Sequence, residues 1–300
     1  MDNNNMRYKP MLAYPVSSKP VDYNEKVFMQ PKLDGVRCLI QYEPKKYGTF
    51  RSSNSPAESY RGEVVAYSRT GKEWKNIEHI LFNLKPFFAL NPDAVLDGEL
   101  YNHDLRDNFE KIISCVRKTK PTTAGRLESS GLVQFHCYDV PHMSSRFDVR
   151  DEWIRLNVPS NLYIKHVVTH EVPTETIAQS THQAFLKQGY EGSILRLNTE
   201  YHCKRSHSLR KFKDFHDTEA VLTDWVEGKG KRIGTIGKFM AIDSEGNTFG
   251  MPVMDKFKYL QDNFEEMKTW VGKEATFTYF ERTKANSYRH PLFKCIRNYE

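Results

Sequence analysis

Short apolar stretches bounded by turn residues recur at 35–42, 62–68, 94–100, 132–138 and 192–197, each rich in β-branched or aromatic side chains. Such runs predict strands. Val27 and Phe28 predict one more, just ahead of the first. Between them the period changes. Trp74, Ile77, Ile80, Leu81, Leu84 and Phe88 fall at helical spacing in 72–88, as do Phe109, Ile112, Ile113 and Val116 in 106–118. A third helix is expected over 174–188, with Ile177, Ala184 and Phe185 inward and Gly189 as its stop.

Beyond Asp217 the texture becomes short strands with glycine-rich turns, over 218–228, 234–243, 248–253, 274–282 and 291–298. A helix over 255–272 interrupts them, with Phe257, Leu260, Phe264, Met267 and Val271 on one face. Strands of this length around one helix fit an OB-fold, although an SH3-like barrel would give a similar pattern. The chain therefore reads as α+β. A mixed domain over 1–216 precedes a small β-barrel over 217–300, joined near Phe215–Thr218 without a Pro/Gly/Ser-rich linker.

Composition narrows the class. At 39% hydrophobic and 13% aromatic the chain is a folded protein. No apolar run approaches the ~20 residues of a membrane span, and "MDNNNMRYKPMLAYP" lacks the apolar core of a signal peptide. Cys38, Cys115, Cys137, Cys203 and Cys295 are scattered and form no CxxC pair. That argues against a disulfide framework or zinc site and for a reducing, intracellular setting, cytoplasmic or nuclear. The net charge of +6 suits a polyanionic partner, and the basic residues crowd 201–216 and 228–239. By themselves such runs equally describe a solvated face.

One stretch is out of keeping with its surroundings. "QPKLDGVR" sets Lys32, Asp34 and Arg37 between two strand patterns. A lysine at a strand end ordinarily reaches solvent. Beside other cations it sheds its proton more readily and becomes a nucleophile. Other strand ends carry charge too: Asp97 and Glu99 around Gly98, Tyr138 with Asp139, and Glu191 before Gly192. In "LRKFKDF", Lys211 and Lys213 alternate, so both would project from one face. Each alone has a structural explanation as a strand-edge charge or core ring.

Taken in order, K-x-D-G-x-R, S-R-x-G, D-G-E-L, an aromatic-Asp pair, E-G-x-I-L-R and K-x-K resemble the covalent nucleotidyltransferase superfamily. Within it the chain is similar to the small ATP-dependent DNA ligases, especially compact viral ones acting inside a host cell. The resemblance runs from Ala13 to Arg297. It implies a nucleotidyltransferase domain, ATP-grasp-like with antiparallel sheets flanked by helices, followed by an OB-fold. It also implies a monomer that seals nicks in duplex DNA with ATP and Mg²⁺, or Mn²⁺ in its place. Lys32 would attack the α-phosphate and carry AMP, with Lys211 and Lys213 as catalytic cations at that phosphate. Asp34 would serve the later, DNA-joining steps. Glu191, with Glu99, would hold the metal, a hard ion that takes carboxylate, phosphate and water oxygens.

The resemblance also gives Glu99 the ribose hydroxyl and Tyr138 the adenine ring. Arg37 and Arg69 would hold the ribose or nick phosphates, as the planar fork of arginine suits. Gln30 stands where many relatives place an acid. Its carbonyl would accept from the adenine amino group, or its amide would donate to guanine O6. Arg289, Pro291, Phe293 and Arg297 match the last ligase motif; the Asp-Lys pair that in relatives follows it and orients pyrophosphate is not matched, so the resemblance implies a slower first step or Arg289 and Arg297 in that role. Lys229, Lys231, Arg232 and Lys238 would clasp the DNA backbone through charge. An RNA ligase or mRNA-capping guanylyltransferase shares these motifs, and a non-catalytic nucleic-acid-binding protein is a further alternative. Leu33 stands where capping enzymes favour threonine. NAD⁺ as donor is disfavoured, because the N-terminal module and cysteine-rich finger of such ligases find no match.

Overall fold

The computed structural model describes residues 6–45, 61–212, 216–279, 281–283 and 286–297. Its contacts divide into two compact units, Met1–Phe212 and Lys213–Glu300. In the first, β1 (Leu12–Pro15), β2 (Val27–Lys32), β3 (Val36–Lys45), β4 (Arg61–Tyr67) and β5 (Val95–Tyr101) are joined by later strands. These are β6 (Gln134–Asp139), β7 (Ile164–His166), β8 (His170–Glu171), β9 (Gly192–Leu197) and β10 (Arg205–Phe212). The helices are α1 (Glu78–Leu90), α2 (Phe109–Val116), α3 (Thr123–Leu132), α4 (Phe147–Asn157) and α5 (Glu175–Lys187).

Two five-stranded sheets result, ordered β1-β10-β9-β2-β8 and β4-β3-β5-β6-β7. Pairing is antiparallel except for β1 with β10 and β6 with β7. Alternation along each strand decides what each face does. In the first sheet Val27, Met29 and Leu195 face Val172, Ala178 and Phe185 of the α5 side. Gln30, Lys32 and Arg196 thereby turn to the opposite face. In the second sheet Cys38, Ile40, Leu96, Leu100 and Phe135 pack on Ile80, Leu84, Phe88, Ile112 and Ile154 from the helices. Arg37, Glu99, His136 and Lys165 form one row across the other face, being successive cross-strand partners. The polar faces of the two sheets meet: Arg196 reaches Asp139, and Gln30 reaches the Tyr138 carbonyl.

The second unit is one antiparallel sheet, β13-β12-β11-β14-β17. Its strands are β11 (His216–Glu227), β12 (Ile236–Ile242), β13 (Thr248–Pro252), β14 (Glu274–Tyr279) and β17 (Leu292–Ile296), with a short hairpin of β15 (Glu281–Arg282) and β16 (Tyr288–Arg289). Leu222, Phe239, Met251, Leu260, Met267 and Phe277 fill its core.

Several elements depart from the sequence reading. The helix expected over 72–88 starts only at Glu78, because Trp74 N–H bonds to the Ala66 carbonyl at 2.9 Å and keeps that segment beside β4. The helix expected over 255–272 is two short ones, α6 (Phe257–Asp262) and α7 (Phe264–Lys268). Asn263 divides them, its side-chain amide bonding back to the Tyr259 carbonyl at 2.7 Å. Val271 lies outside both and is exposed. Helices α3 and α4 carry no apolar stripe of the usual kind. Gly125 and Ser129 form the buried face of α3, while α4 buries Arg150 and Asp151 beside Phe147 and Ile154. Among the described residues, no helix is long and apolar enough to cross a membrane.

Candidate active site

Strand pairing builds the site. Lys32 ends β2 directly opposite Gly192, and Gln30 lies opposite Ile194, itself opposite Lys211 on β10. Cross-strand partners share a face, so Lys211 stands on the face of Gln30 and Lys32. The backbone N–H of Glu191 donates to the Lys32 carbonyl at 3.2 Å, zipping the two segments together. Lys32 Nζ is thereby brought into direct contact with Glu191 Oε2. The Glu191 side chain is only 4% exposed and that of Lys32 22%, so the pair is largely shielded from water. Lys213 lies outside the described residues.

Gly35 lets the turn after Lys32 approach the second sheet. A Cβ there would stand 2.5 Å from the Leu100 carbonyl oxygen and 2.6 Å from Glu99 Cγ. Asp34 is half-buried in the same turn. Glu99 is close enough to feel the charges of Arg37 and Lys32, yet burial outweighs them and raises its carboxyl to about 7. Tyr138 donates its hydroxyl to Glu99 at 3.2 Å. The ring of Tyr138 has the Arg37 guanidinium 5.0 Å and the Arg196 guanidinium 5.4 Å from its centre.

Arg37 is not extended toward a ligand. It grips the buried carboxylate of Asp97 through Nε at 2.6 Å and Nη2 at 2.5 Å, and Tyr201 donates to the same carboxylate at 2.6 Å. Gln30, only 2% exposed, also has its polar atoms engaged: Oε1 accepts from Arg196 Nε at 2.7 Å, and Nε2 donates to Thr169 Oγ1 at 3.0 Å. Arg69, by contrast, is exposed in the turn after β4.

Beneath these residues lies a charged core that the sequence reading did not assign. Asp139 accepts from Arg150 Nε at 2.7 Å and from Arg196 Nη1 at 2.6 Å. Burial works to raise the Asp139 carboxyl, but Arg196 and Arg150 outweigh it and hold it below the usual carboxylate range. One signal was available. An arginine inside the apolar strand "SILRL" needs a buried acid, and Asp139 is one.

The remaining candidates lie in the C-terminal unit. Lys229 and Lys231 are exposed on the turn between β11 and β12, and Lys238 is half-buried on β12. Arg232 is turned inward, its Nη2 donating to the Val253 carbonyl at 3.1 Å. Arg297 pairs with Glu219.

A family model described as the ATP dependent DNA ligase domain matches residues 10–213. This chain belongs to that family. Its curated relatives include the DNA ligases of African swine fever virus isolates Tick/South Africa/Pretoriuskop Pr4/1996 and Warthog/Namibia/Wart80/1980. Each is 29% identical, over 77% of this chain and 59% of the viral protein. The chain thus spans about three-fifths of the length of those relatives. A solved structure from a structure-function study of Lig E DNA ligases superposes with a TM-score of 0.72 at 23% identity, covering 97% of this chain and all of that one. The ATP-dependent DNA ligase of bacteriophage T7, solved in complex with ATP, gives 0.54 at 16% identity over 98% of this chain and 100% of its own. At these identities the structures establish a shared nucleotidyltransferase-type ligase fold of mixed sheets and helices.

Proposed function

We propose that this chain is a DNA ligase that seals nicks in duplex DNA by carrying AMP on Lys32. The observation that carries this reading is the contact between Lys32 Nζ and the shielded Glu191 carboxylate, on the face that also presents Lys211, in an ATP-dependent DNA ligase chain. A proton leaves the Lys32 ammonium, for which the Glu191 carboxylate is the adjacent acceptor. The freed amine attacks the α-phosphorus of ATP; the N–P bond forms as the P–O bond to pyrophosphate breaks. An oxygen of the DNA 5′-phosphate then attacks the same phosphorus and returns the amine. The neighbouring 3′-hydroxyl closes the strand and AMP leaves.

The other residues are read by what they reach. Lys211 and Lys213 offset charge on the transferring phosphate, where positioned cations supply most of the catalysis. Glu99 receives the ribose, Tyr138 the adenine, and Asp34 serves the joining steps. The bidentate pair with Asp97 makes Arg37 a support for the pocket and leaves Arg69 the better candidate for nick phosphates. Among the described residues no three His, Cys, Asp or Glu side chains cluster as a metal cage. The donors fit Mg²⁺, or Mn²⁺ in its place, bound through one or two carboxylates with phosphate and water completing the shell. Glu191 and Glu99 would hold it, and the bound cation would neutralise charge on the phosphate oxygens.

We read the domains as 1–216 for nucleotidyl transfer and 217–300 as an OB-type barrel. Five antiparallel strands whose edge strands β13 and β17 touch support the barrel. Its Lys229, Lys231 and Lys238 face backbone phosphates in this reading, Arg232 braces their turn through the Val253 carbonyl, and Arg297 helps orient pyrophosphate. The protein acts as a monomer inside a reducing cell, in the cytoplasm or nucleus; its likeness to viral ligases supports a host cell as the setting.

The test is to incubate the protein with Mg²⁺ and α-labelled ATP or GTP, denature it, and then supply nicked duplex. Label from ATP that survives denaturation, vanishes in Lys32→Ala and passes to DNA is the expected result. Label from GTP alone, or none, overturns the reading.

A further inference from the structure

Gln30 holds the position from which the sequence suggests a base would be read, yet its amide is already committed. A glutamine offers one carbonyl oxygen and two N–H groups. The oxygen accepts from Arg196 Nε at 2.7 Å. The nitrogen donates to Thr169 Oγ1 at 3.0 Å and points its second hydrogen to the Tyr138 carbonyl at 3.5 Å. Chemistry dictates this orientation. Reversing the amide would set N–H against the Arg196 N–H and oxygen against the Tyr138 oxygen. Thr169 completes the arrangement by donating to Asp151 Oδ1 at 2.7 Å, and Asp151 pairs with Arg155 at 3.0 Å.

The consequence falls on Arg196. Its guanidinium is pinned at Nε by Gln30 and at Nη1 by Asp139 (2.6 Å), and so is held close to the rings of Phe147 (4.8 Å) and Tyr138 (5.4 Å). Without Gln30 only the Asp139 end would remain, and the guanidinium could pivot. The ring it steadies is the one that also donates to Glu99.

We infer that Gln30 is a positioning residue that fixes Arg196, and through it the Tyr138 wall of the nucleotide pocket, and that it does not read the base. This rests on the proposed adenylation at Lys32. Base preference then comes from other groups, and Gln30 governs how tightly any purine nucleotide is held.

The experiment measures KM and kcat for protein labelling with ATP and with GTP in the unsubstituted protein, Gln30→Ala, Gln30→Glu, Arg196→Ala and the Gln30→Ala/Arg196→Ala double variant. Gln30→Ala is expected to raise KM for ATP about tenfold with kcat little changed, and to leave the ATP-to-GTP ratio where it was. Gln30→Glu keeps an oxygen for Arg196, but its second oxygen meets the Tyr138 carbonyl and gains the Thr169 proton only if that hydroxyl turns from Asp151, so it should recover part of the rise in KM without altering that ratio. The double variant should be no worse than Arg196→Ala alone, because Gln30 acts through Arg196. Partial unfolding lowers the amount of label at saturation and leaves KM alone, so it is separable. A Gln30→Glu protein that sharpens preference for ATP over GTP about tenfold would mean that residue 30 touches the base, and the inference falls. Unchanged KM in Gln30→Ala, or additive losses in the double variant, overturn it as well. No label in the unsubstituted protein overturns the adenylation reading and this inference with it.

Discussion

The Lys32 ammonium and the Glu191 carboxylate touch at the paired ends of β2 and β9, where the backbones are also hydrogen-bonded. Removing the carboxylate takes away both the nearest proton acceptor and a candidate cation ligand. Glu191→Ala should therefore lower the rate of adenylate formation by at least about 100-fold. Single-turnover labelling measures it, with circular dichroism to confirm the fold. Full activity would exclude Glu191 from the chemistry.

Asp97 is fully buried under the bidentate grip of Arg37 and the hydroxyl of Tyr201. Asp97→Asn leaves the guanidinium without its counter-charge in a low-dielectric site, a loss of about 3–5 kcal/mol. Urea denaturation should show it as a lower midpoint. A double variant that also replaces Arg37 with methionine should recover part of that stability, since the orphaned charge goes too. If Asp97→Asn unfolds at the same urea concentration as the unsubstituted protein, the pair is not the anchor described.

Glu99 yields a pH dependence with a definite sign. Burial raises its carboxyl from 4.5 in the open chain to about 7 in the fold. The folded state therefore binds the proton more tightly, and stability from this group is complete below pH 4.5 and lost as pH rises through 7. Glu99→Gln removes that loss. Relative to the unsubstituted protein, the variant should gain on the order of 3 kcal/mol between pH 4 and pH 8. Chemical denaturation at the two pH values tests this, and a constant difference would mean that Glu99 is not buried as described.

The basic turn of the C-terminal unit separates charge from structure. Lys229 and Lys231 are exposed, whereas Arg232 is tied to the Val253 carbonyl. Lys229→Ala with Lys231→Ala should reduce the slope of log affinity against log salt for nicked DNA by about 2. Arg232→Ala should lower thermal stability more than it changes that slope. Titrations at several salt concentrations discriminate, and an unaltered slope in the double variant would place the DNA contacts elsewhere.

Much of the architecture could be read from periodicity. Most strands of both units and helix α2 follow from alternation and helical spacing, because their buried faces are apolar and burial of apolar area drives their placement; the short β1, β7 and β8 did not show. Helix α5 stands where expected but is turned differently: Ala178, His182 and Phe185 are buried, whereas Ile177 and Ala184, expected inward, are exposed. Helix α4 escaped that reading, since on its buried face Arg150 pairs with Asp139 from β6, and Asp151 accepts from the Thr169 hydroxyl and pairs with Arg155 one turn on. Helix α3 escaped it because small residues let it pack closely without an apolar stripe.

The sequence by itself determined which side chains are candidates for the chemistry: an amine, acids and lysines at strand ends, in a recognisable order. Tertiary structure alone decided which of them are engaged. Arg37 and Gln30 look available along the chain, yet folding brings Asp97 and Arg196 against them from far away in sequence. A buried charge or amide must find a partner, and no local pattern records who that partner will be.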